Sequence, residues 1–206
     1  MATTNKTMTD IFEQYKYDRT TLKNSETWYE QQILLLKNQV SSKVSSSSRI
    51  TPNKLMVNDP DSLKNRITPG SLYMFFYDPK HKATLPYYDT FPLVFPYRAI
   101  PGGFMGLNMH YLPYQLRSRL LDGLLKFTNN TRMDKTTKLK FNWDLITSVA
   151  ALAPAKACIK HYLSTHVMTQ FKKIEIDHWP TAMMLPVERF VKARRERVWS
   201  DSLKKI

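Results

Sequence analysis

The segment that covers residues 69–113 concentrates aromatic residues, prolines and glycines in less than a quarter of the chain. Aromatic and β-branched runs within it are separated by Asp-Pro, Leu-Pro and Pro-Gly-Gly sequences. Because proline fixes φ and glycine accepts positive φ, these separators indicate tight turns between short strands. The segment therefore predicts a compact unit of antiparallel β structure.

Three strands in a meander are expected, at residues 72–77, 88–96 and 103–111. The first run is apolar at successive positions, which is typical of a strand covered on both faces. Pro92 and Pro96 cannot donate hydrogen bonds to a ladder, so the second strand should lie at an edge of the sheet or be bent there. The pattern predicts an α+β fold whose core is a small curled antiparallel sheet, or is barrel-like, with flanking helices.

Helical spacing follows the β segment. Pro113 stands where the first residue of a helix would be, and leucines recur on one face of the sequence after it. Residues 138–141 are expected to form a short strand, with Asn142 as the N-cap of a helix that Pro154 ends. Beyond it, the pattern predicts a short helix at 155–163, a strand at 167–176, and a segment at 179–185 that packs on the sheet.

The chain divides into three predicted regions. Residues 1–66 form an N-terminal arm, with a helix at 25–40 and a serine-rich linker at 41–48. Residues 67–186 form the α+β core domain, and residues 187–206 form a basic C-terminal helix that begins behind Pro186. Extended helical arms are therefore expected at both ends of the core.

The net charge of the chain indicates which class of partner it binds. The formal net charge is +14 and the isoelectric point is near 9.8, which favours a polyanion such as nucleic acid or a strongly acidic protein surface. For any single cation, a solvated helix face is the competing interpretation, but the neighbouring acids are too few to neutralise the clusters. The candidate DNA-binding residues are Arg117, Arg119, Lys126, Arg132, Lys135, Lys138, Lys140, Lys192, Arg194, Arg195 and Arg197.

Apolar and aromatic side chains suggest protein contacts. The tyrosines of the β segment could stack on bases or on a DNA terminus, although tyrosines in such a pattern more often lie in a core or an interface. The candidate partner-interface residues are Tyr29, Ile33, Leu36, Tyr73, Phe75, Tyr87 and Tyr88.

Catalytic and metal sites have little support. Cys158 with His161 and His166 lacks the paired spacing of a zinc site, and a single cysteine excludes an internal disulfide framework. Asp78 and Asp177 suggest the acids of metal-dependent nucleases only superficially. No phosphate-binding glycine loop or nucleophile elbow is present. We therefore expect no cofactor, no metal ion and no catalysis, and the missing apolar stretches predict neither a signal peptide nor a membrane span.

Several strings of residues carry a resemblance. They are G-x-L-Y-x-F-x-Y-D-P-K-x-K, L-P-Y-Y-D-x-F-P-L-V and G-F-x-G-L-N-x-H-Y-L-P within residues 70–113, then L-P-x-E-x-F-V-K and V-W-x-D-S within residues 185–202. This pattern resembles the small virion proteins of T-even-type tailed bacteriophages, in particular head-completion proteins that protect DNA ends. The N-terminal helix and the serine-rich stretch do not take part in it.

The resemblance implies a late, non-enzymatic virion protein that joins the filled head in the host cytoplasm. It would lie near the portal vertex, bind the packaged genome end without sequence specificity and shield it from host exonuclease. Double-stranded DNA ends and portal or neck proteins are the implied partners, homo-oligomerisation stays open, and no membrane is expected. The alternatives are a purely structural neck, tail or baseplate component and, more weakly, a nuclease.

Overall fold

A computed structural model describes residues 52–57, 60–128, 134–150 and 153–204. The predicted N-terminal helix, with Tyr29, Ile33 and Leu36, and the serine-rich linker lie outside the described residues. Arg132 also lies outside them.

Two antiparallel sheets organise the described chain. A six-stranded sheet has the order β1-β7-β2-β4-β5-β6, and β3 pairs with β8 in a separate two-stranded sheet. The strands are β1 Leu63–Lys64, β2 Leu72–Met74, β3 Tyr88–Asp89, β4 Leu93–Ile100, β5 Gly103–Asn108, β6 Ile159–Leu163, β7 Phe171–Ile174 and β8 Phe190–Val191. The predicted α+β fold with a small antiparallel sheet is confirmed, and the sheet is open rather than closed into a barrel.

The predicted meander is present as β2, β4 and β5, which pair in that order. The second strand is displaced along the sequence, because Tyr88–Asp89 leaves to pair with β8 and β4 begins at Leu93. Of the two expected arrangements, an edge position or a bend, the edge position is not adopted, because β4 is flanked by β2 and β5. Its expected bend is confirmed, because the register shifts between Pro96 and Arg98, where a bulge accommodates the missing N–H of proline.

The Pro101-Gly102-Gly103 corner joins β4 to β5. Gly102 has φ of 75°, a conformation that costs glycine little and other residues more. At Gly103, an added Cβ would overlap the carbonyl oxygen of Tyr162 on β6. Glycine is therefore needed once for the turn and once for the close approach of a neighbouring strand.

Five α-helices lie within the described ranges. They are α1 Pro52–Val57, α2 Tyr114–Thr128, α3 Lys135–Ala150, α4 Trp179–Met184 and α5 Arg195–Leu203. The helix expected after Pro113 is confirmed as α2. No helix in this part of the chain is both long enough and apolar enough to cross a bilayer.

The strand predicted at residues 138–141 is wrong, because these residues belong to α3. Asn142 is buried within that helix rather than capping it. Asp134 instead accepts a hydrogen bond from the Thr137 amide at 2.7 Å and thereby caps the first turn. Helical packing of Leu145, Ile146 and Val149 against the body outweighs the local strand pattern.

Two further helix predictions are corrected by long-range strand pairing. The helix expected at 155–163 is a 3₁₀ turn at Ala153–Ala157 followed by β6, which completes the sheet beside β5. The helix expected to start behind Pro186 begins only at Arg195, because Phe190–Val191 first pairs with β3. The predicted strand at 167–176 is confirmed for Phe171–Ile174.

The two faces of the large sheet carry different cores. One face packs against the helices, and the Phe95 ring meets the buried Trp179 of α4 at 5.1 Å between ring centroids. The segment at 179–185 thus packs on the sheet as predicted. The opposite face is a cluster of buried residues, Tyr73, Phe75, Tyr77, Val94, Phe104 and Tyr162. Tyr73 and Phe75 were predicted to be interface residues, and in the described chain they are core residues, because neighbouring strands cover them.

Candidate nucleic-acid interface

Helix α5 presents one buried face and several exposed cations. Val198 and Ser202 are fully covered by the body, whereas Arg194, Arg195 and Arg197 are exposed. This division follows helical periodicity, because residues 198 and 202 are one turn apart. The buried face holds the helix in place, so the arginines project from a fixed surface.

Trp199 anchors α5 to the start of α2. Its indole Nε1 donates a hydrogen bond to the carbonyl oxygen of His110 at 2.9 Å, and its ring meets the ring of Tyr114 edge-on at 5.0 Å. The guanidinium carbon of Arg195 lies 5.5 Å from the Trp199 ring centroid. A guanidinium over an aromatic ring keeps its charge exposed while its plane is oriented.

Residues 194–204 carry four cations and two acids, so ion pairs at α5 compensate about half of its positive charge. Arg195 donates to Glu196 at 3.0 Å, and Arg197 lies 3.9 Å from Asp201. Both pairs are solvent-exposed, so they contribute little to stability and a phosphate can compete for the arginines. The pKa of Glu196 is lowered, first by a backbone hydrogen bond and then by Arg195.

Arg117 is a structural residue and not a surface cation. Its side chain is fully buried, and it donates to the carbonyls of Leu112, Met183 and His110 at 2.8, 3.0 and 3.1 Å. It also donates to the Glu188 carboxylate at 2.8 Å. A phosphate could reach this guanidinium only if the body opened, so Arg117 is not available to DNA in the folded protein.

Lys192 is committed to a loop of the protein itself. Its ammonium donates to the carbonyls of Lys82, Ala83 and Leu85 at 2.6, 2.8 and 3.1 Å. An ammonium has three donors, so these bonds use all of them. Lys192 also has φ of 69°, which is uncommon for a residue with a side chain. It acts as a clamp on the loop rather than as a phosphate contact.

The remaining candidates lie on α2 and α3. Lys135 and Lys140 are exposed, and Arg119 and Lys138 are half-buried. Nothing is described of the Lys126 side chain. Their positive charge lies beside the exposed Asp134, which caps α3.

Lys135, Lys138 and Lys140 lie at the opposite end of the α2–α3 pair from the α5 arginines, whereas Arg119, in the second turn of α2, lies at the α5 end. Helix α2 begins beside Trp199 and packs against α3, which in turn contacts the 3₁₀ turn at Ala153–Ala157 next to α5. The end of α2 and the start of α3 therefore lie far from α5, by about 20 Å for helices of this length. The sequence indicated two clusters; Arg194, Arg195 and Arg197 follow one another along the chain at the start of α5, and the α3 lysines do not join them.

Tyr87 connects α5 to a neighbouring cleft. Burial raises the pKa of Tyr87, and the negative charge of Asp201 raises it further, whereas Arg197 lowers it. Tyr87 and Tyr88 are both half-buried, and both line the cleft. Their predicted role as partner-interface residues stays a prediction.

A buried polar network that sequence reasoning missed supports this end of the molecule. Asp89 accepts a hydrogen bond from Nδ1 of His110 at 2.7 Å, from the Phe91 amide at 3.0 Å and from Asn108 at 3.3 Å. Burial by itself would raise the pKa of Asp89, but the His110 charge and these hydrogen bonds outweigh it and hold the pKa below its ordinary value. The available signal was the Asn108-Met109-His110 stretch after a strand, which is too common to identify a network.

The residues weighed for catalysis are dispersed. Cys158 is buried, and burial raises the pKa of its thiol to about 12. Asp78 pairs with Lys82 at 2.9 Å, while Asp177 is exposed on a 3₁₀ turn in another part of the fold. In the described ranges, no three His, Cys, Asp or Glu side chains group together as ligands for a metal ion.

Comparisons with known proteins identify the family. The model of the family described as "Phage T4 terminal DNA protecting protein" matches residues 54–203, well over half of the chain. Neither the curated proteins nor the solved structures include a significant match. The matched range covers the large sheet, α2 to α5 and the exposed arginines of α5. The chain therefore belongs to the phage T4 terminal DNA protecting protein family.

Proposed function

We propose that this protein is a phage virion protein that binds the end of the packaged genome and protects it from host exonuclease. The observation that carries the proposal is the exposed group Arg194, Arg195 and Arg197 on a helix fixed to the body by Val198 and Trp199. Arginines on a rigid element can contact several phosphates of one duplex. The family match to a DNA-protecting protein supports the same function.

The contacts are to phosphate and do not read sequence. The net charge of +14 supplies a sequence-independent attraction to DNA, in which binding releases counterions. The role is non-enzymatic, because covering a DNA end blocks an exonuclease without any chemical step. The protein joins the filled head during assembly in the host cytoplasm and completes it at the portal vertex, beside portal or neck proteins.

The test is protection of blunt-ended linear DNA against a processive exonuclease, with the full-length protein at increasing salt. We expect protection at low salt, and affinity that falls by about 10³-fold or more between 50 and 200 mM salt if six or more phosphates are contacted. The proposal is wrong if linear DNA is degraded equally with and without saturating protein.

A purely structural neck, tail or baseplate role is the second candidate. The exposed side chains of Phe141 and Trp143 on α3 favour it, because large aromatic side chains at a surface are typical of protein interfaces. This role predicts stable assembly with purified virion proteins in the absence of DNA. Assembly that requires DNA-filled heads would favour the first function.

A further inference from the structure

A cleft of about 460 Å³ lies between the edge strand β6 and the loop that precedes β3. Its floor includes Tyr111 and the buried Asp89 network, and its walls carry Lys80, Tyr87, Tyr88 and Lys160. Ligand pockets of this size hold one small molecule or one nucleotide-sized group, and not a duplex. Neither the family match nor the proposed phosphate contacts on α5 assign any role to the cleft.

The lining combines aromatic rings with positive charge. The rings of Tyr87 and Tyr111 lie 6.1 Å apart, and the Lys160 ammonium lies 3.8 Å from the Tyr111 ring centroid. Lys80 is exposed at the mouth. Asp89 is the one acid among the described lining residues, and its carboxylate is buried in hydrogen bonds with the body. Such a lining suits a ligand that has a flat ring and a negative charge.

One wall of the cleft is held in a fixed position. Lys192 bonds three carbonyls of the loop between Lys82 and Leu85, and β8 pairs with Tyr88 and Asp89 on the far side of that loop. Lys192 adopts positive φ to do so. Backbone strain that the surrounding structure maintains is common at ligand sites. The cleft is therefore formed before any ligand enters.

The cleft lies beside the part of α5 that carries Arg197 and Asp201. Tyr87, in its wall, lies near Asp201 and Arg197 of α5. A duplex with a phosphate on Arg197 would thus have its end close to the cleft mouth. Internal base pairs could not enter, because both backbones continue past the site.

We propose that the cleft binds the terminal nucleotide of a DNA end, with its base against Tyr87 and Tyr88 and its phosphate near Lys80 and Lys160. This inference rests on the proposed DNA-end function and names the group that would distinguish an end from the rest of the duplex. Fraying of a terminal pair exposes one base, and aromatic side chains bind an unstacked base regardless of its identity. End recognition then needs no sequence readout.

The experiment uses the full-length protein and short blunt duplexes that carry 2-aminopurine at the terminal or at the central position. Binding should change the fluorescence of the terminal probe and leave the central probe nearly unchanged. Lys80→Glu combined with Lys160→Glu should weaken binding to the open-ended duplex by about tenfold, the factor expected from the loss of one stacked, phosphate-bound nucleotide. Its affinity for a duplex closed at both ends by hairpin loops should stay within about twofold.

Two further variants keep the result interpretable. Lys64→Glu combined with Arg66→Glu makes the same charge change at β1, the opposite edge of the sheet, and should not alter the preference for open ends. Tyr88→Leu keeps a residue suited to a strand but removes the ring, and should reduce the terminal probe signal. Circular dichroism of each variant shows whether it is folded.

The outcomes separate the two proposals. One outcome is that the wild-type protein binds and protects DNA ends, but the fluorescence of the terminal 2-aminopurine does not change and the Lys80/Lys160 variant still prefers open-ended duplex. In that case the cleft inference is wrong and the proposed function stands. If the variant binds DNA normally but no longer joins DNA-filled heads, the cleft binds a protein segment and the inference is also wrong. If the wild-type protein does not bind DNA, the proposed function itself fails.

Discussion

The two ends of the α2–α3 helix pair both carry clustered cations, but they differ in how those cations are held. At the α5 end, polar contacts fix the surface on which the exposed arginines lie. These contacts are buried or half-buried and are made by Arg117, Asp89 and Trp199. At the opposite end, Lys135 and Lys140 project into solvent next to the cap of α3. Charge by itself attracts DNA, but only anchored charge can hold a DNA end in one position.

The largest expected effect comes from removing the buried anchor Arg117. Arg117→Met should lower the free energy of unfolding by about 4 kcal/mol, because it leaves the Glu188 carboxylate and the carbonyls of Leu112 and Met183 without this donor, while the His110 carbonyl keeps Trp199. Urea unfolding measures the change. Arg119→Met, on the same helix, should change it by less than about 0.5 kcal/mol. Adding Glu188→Gln to Arg117→Met should recover part of the loss, and failure to do so would contradict the pairing.

The Asp89 network is the second anchor, and its contribution depends on pH. The folded pKa of Asp89 lies below its unfolded value near 3.8, so its stabilisation is fully present above about pH 4 and is lost as pH falls through the folded pKa. Asp89→Asn should lower the free energy of unfolding at pH 7 by about 3 kcal/mol. Below pH 3 the difference between variant and wild type should shrink. A difference that stays constant from pH 7 to pH 2.5 would contradict this explanation.

Charge reversal compares the two ends directly. Arg194→Glu, Arg195→Glu and Arg197→Glu together should weaken binding to a blunt duplex about 100-fold at low salt, and should reduce the slope of log K against log salt by about 3. The matched triple reversal of Lys135, Lys138 and Lys140 should cost less than about tenfold. Equal losses at both ends would show that anchoring makes no difference to DNA binding.

The smallest expected effect tests the Lys192 clamp. Lys192→Met removes three exposed hydrogen bonds but keeps positive φ, and should destabilise the fold by about 1 kcal/mol. Lys192→Gly loses the same hydrogen bonds but removes the strain of positive φ, so the free energy of unfolding should stay close to that of the wild type. Hydrogen exchange of residues 79–88 should increase in both variants. Unchanged exchange would mean that the ammonium does not hold this loop.

Local patterns in the sequence predicted much of the fold. The meander, the helix behind Pro113 and the packing of Trp179 all depend on residues that are close in sequence, where turn chemistry and periodicity are informative. The errors occurred at β6, β8 and α3, where pairing or packing with distant residues overrode local preference. Strand β6 lies beside β5 although some fifty residues separate them along the chain.

The residues of the candidate site likewise fall into those that local sequence could predict and those that it could not. Arg195 and Arg197 could be recognised, because they belong to a cation-rich run at residues 192–197. Arg117 could not be told from them by its sequence context, since its burial depends on Met183 and Glu188. Lys192 was likewise indistinguishable from a surface lysine, because the carbonyls that it binds belong to a loop more than a hundred residues earlier.

Composition and short-range patterns are enough to predict the α+β class, the net positive charge and the residues that mark the family. The net charge is a sum over all residues, and the fold class and the family motifs can be recognised within short segments. Which cations face solvent, which tyrosines lie in the core and where the cleft forms beside α5 depend on the folded arrangement of the chain. The physical reason is that burial and hydrogen bonding are set by which distant segments meet, and a side chain's chemistry does not reveal what will cover it.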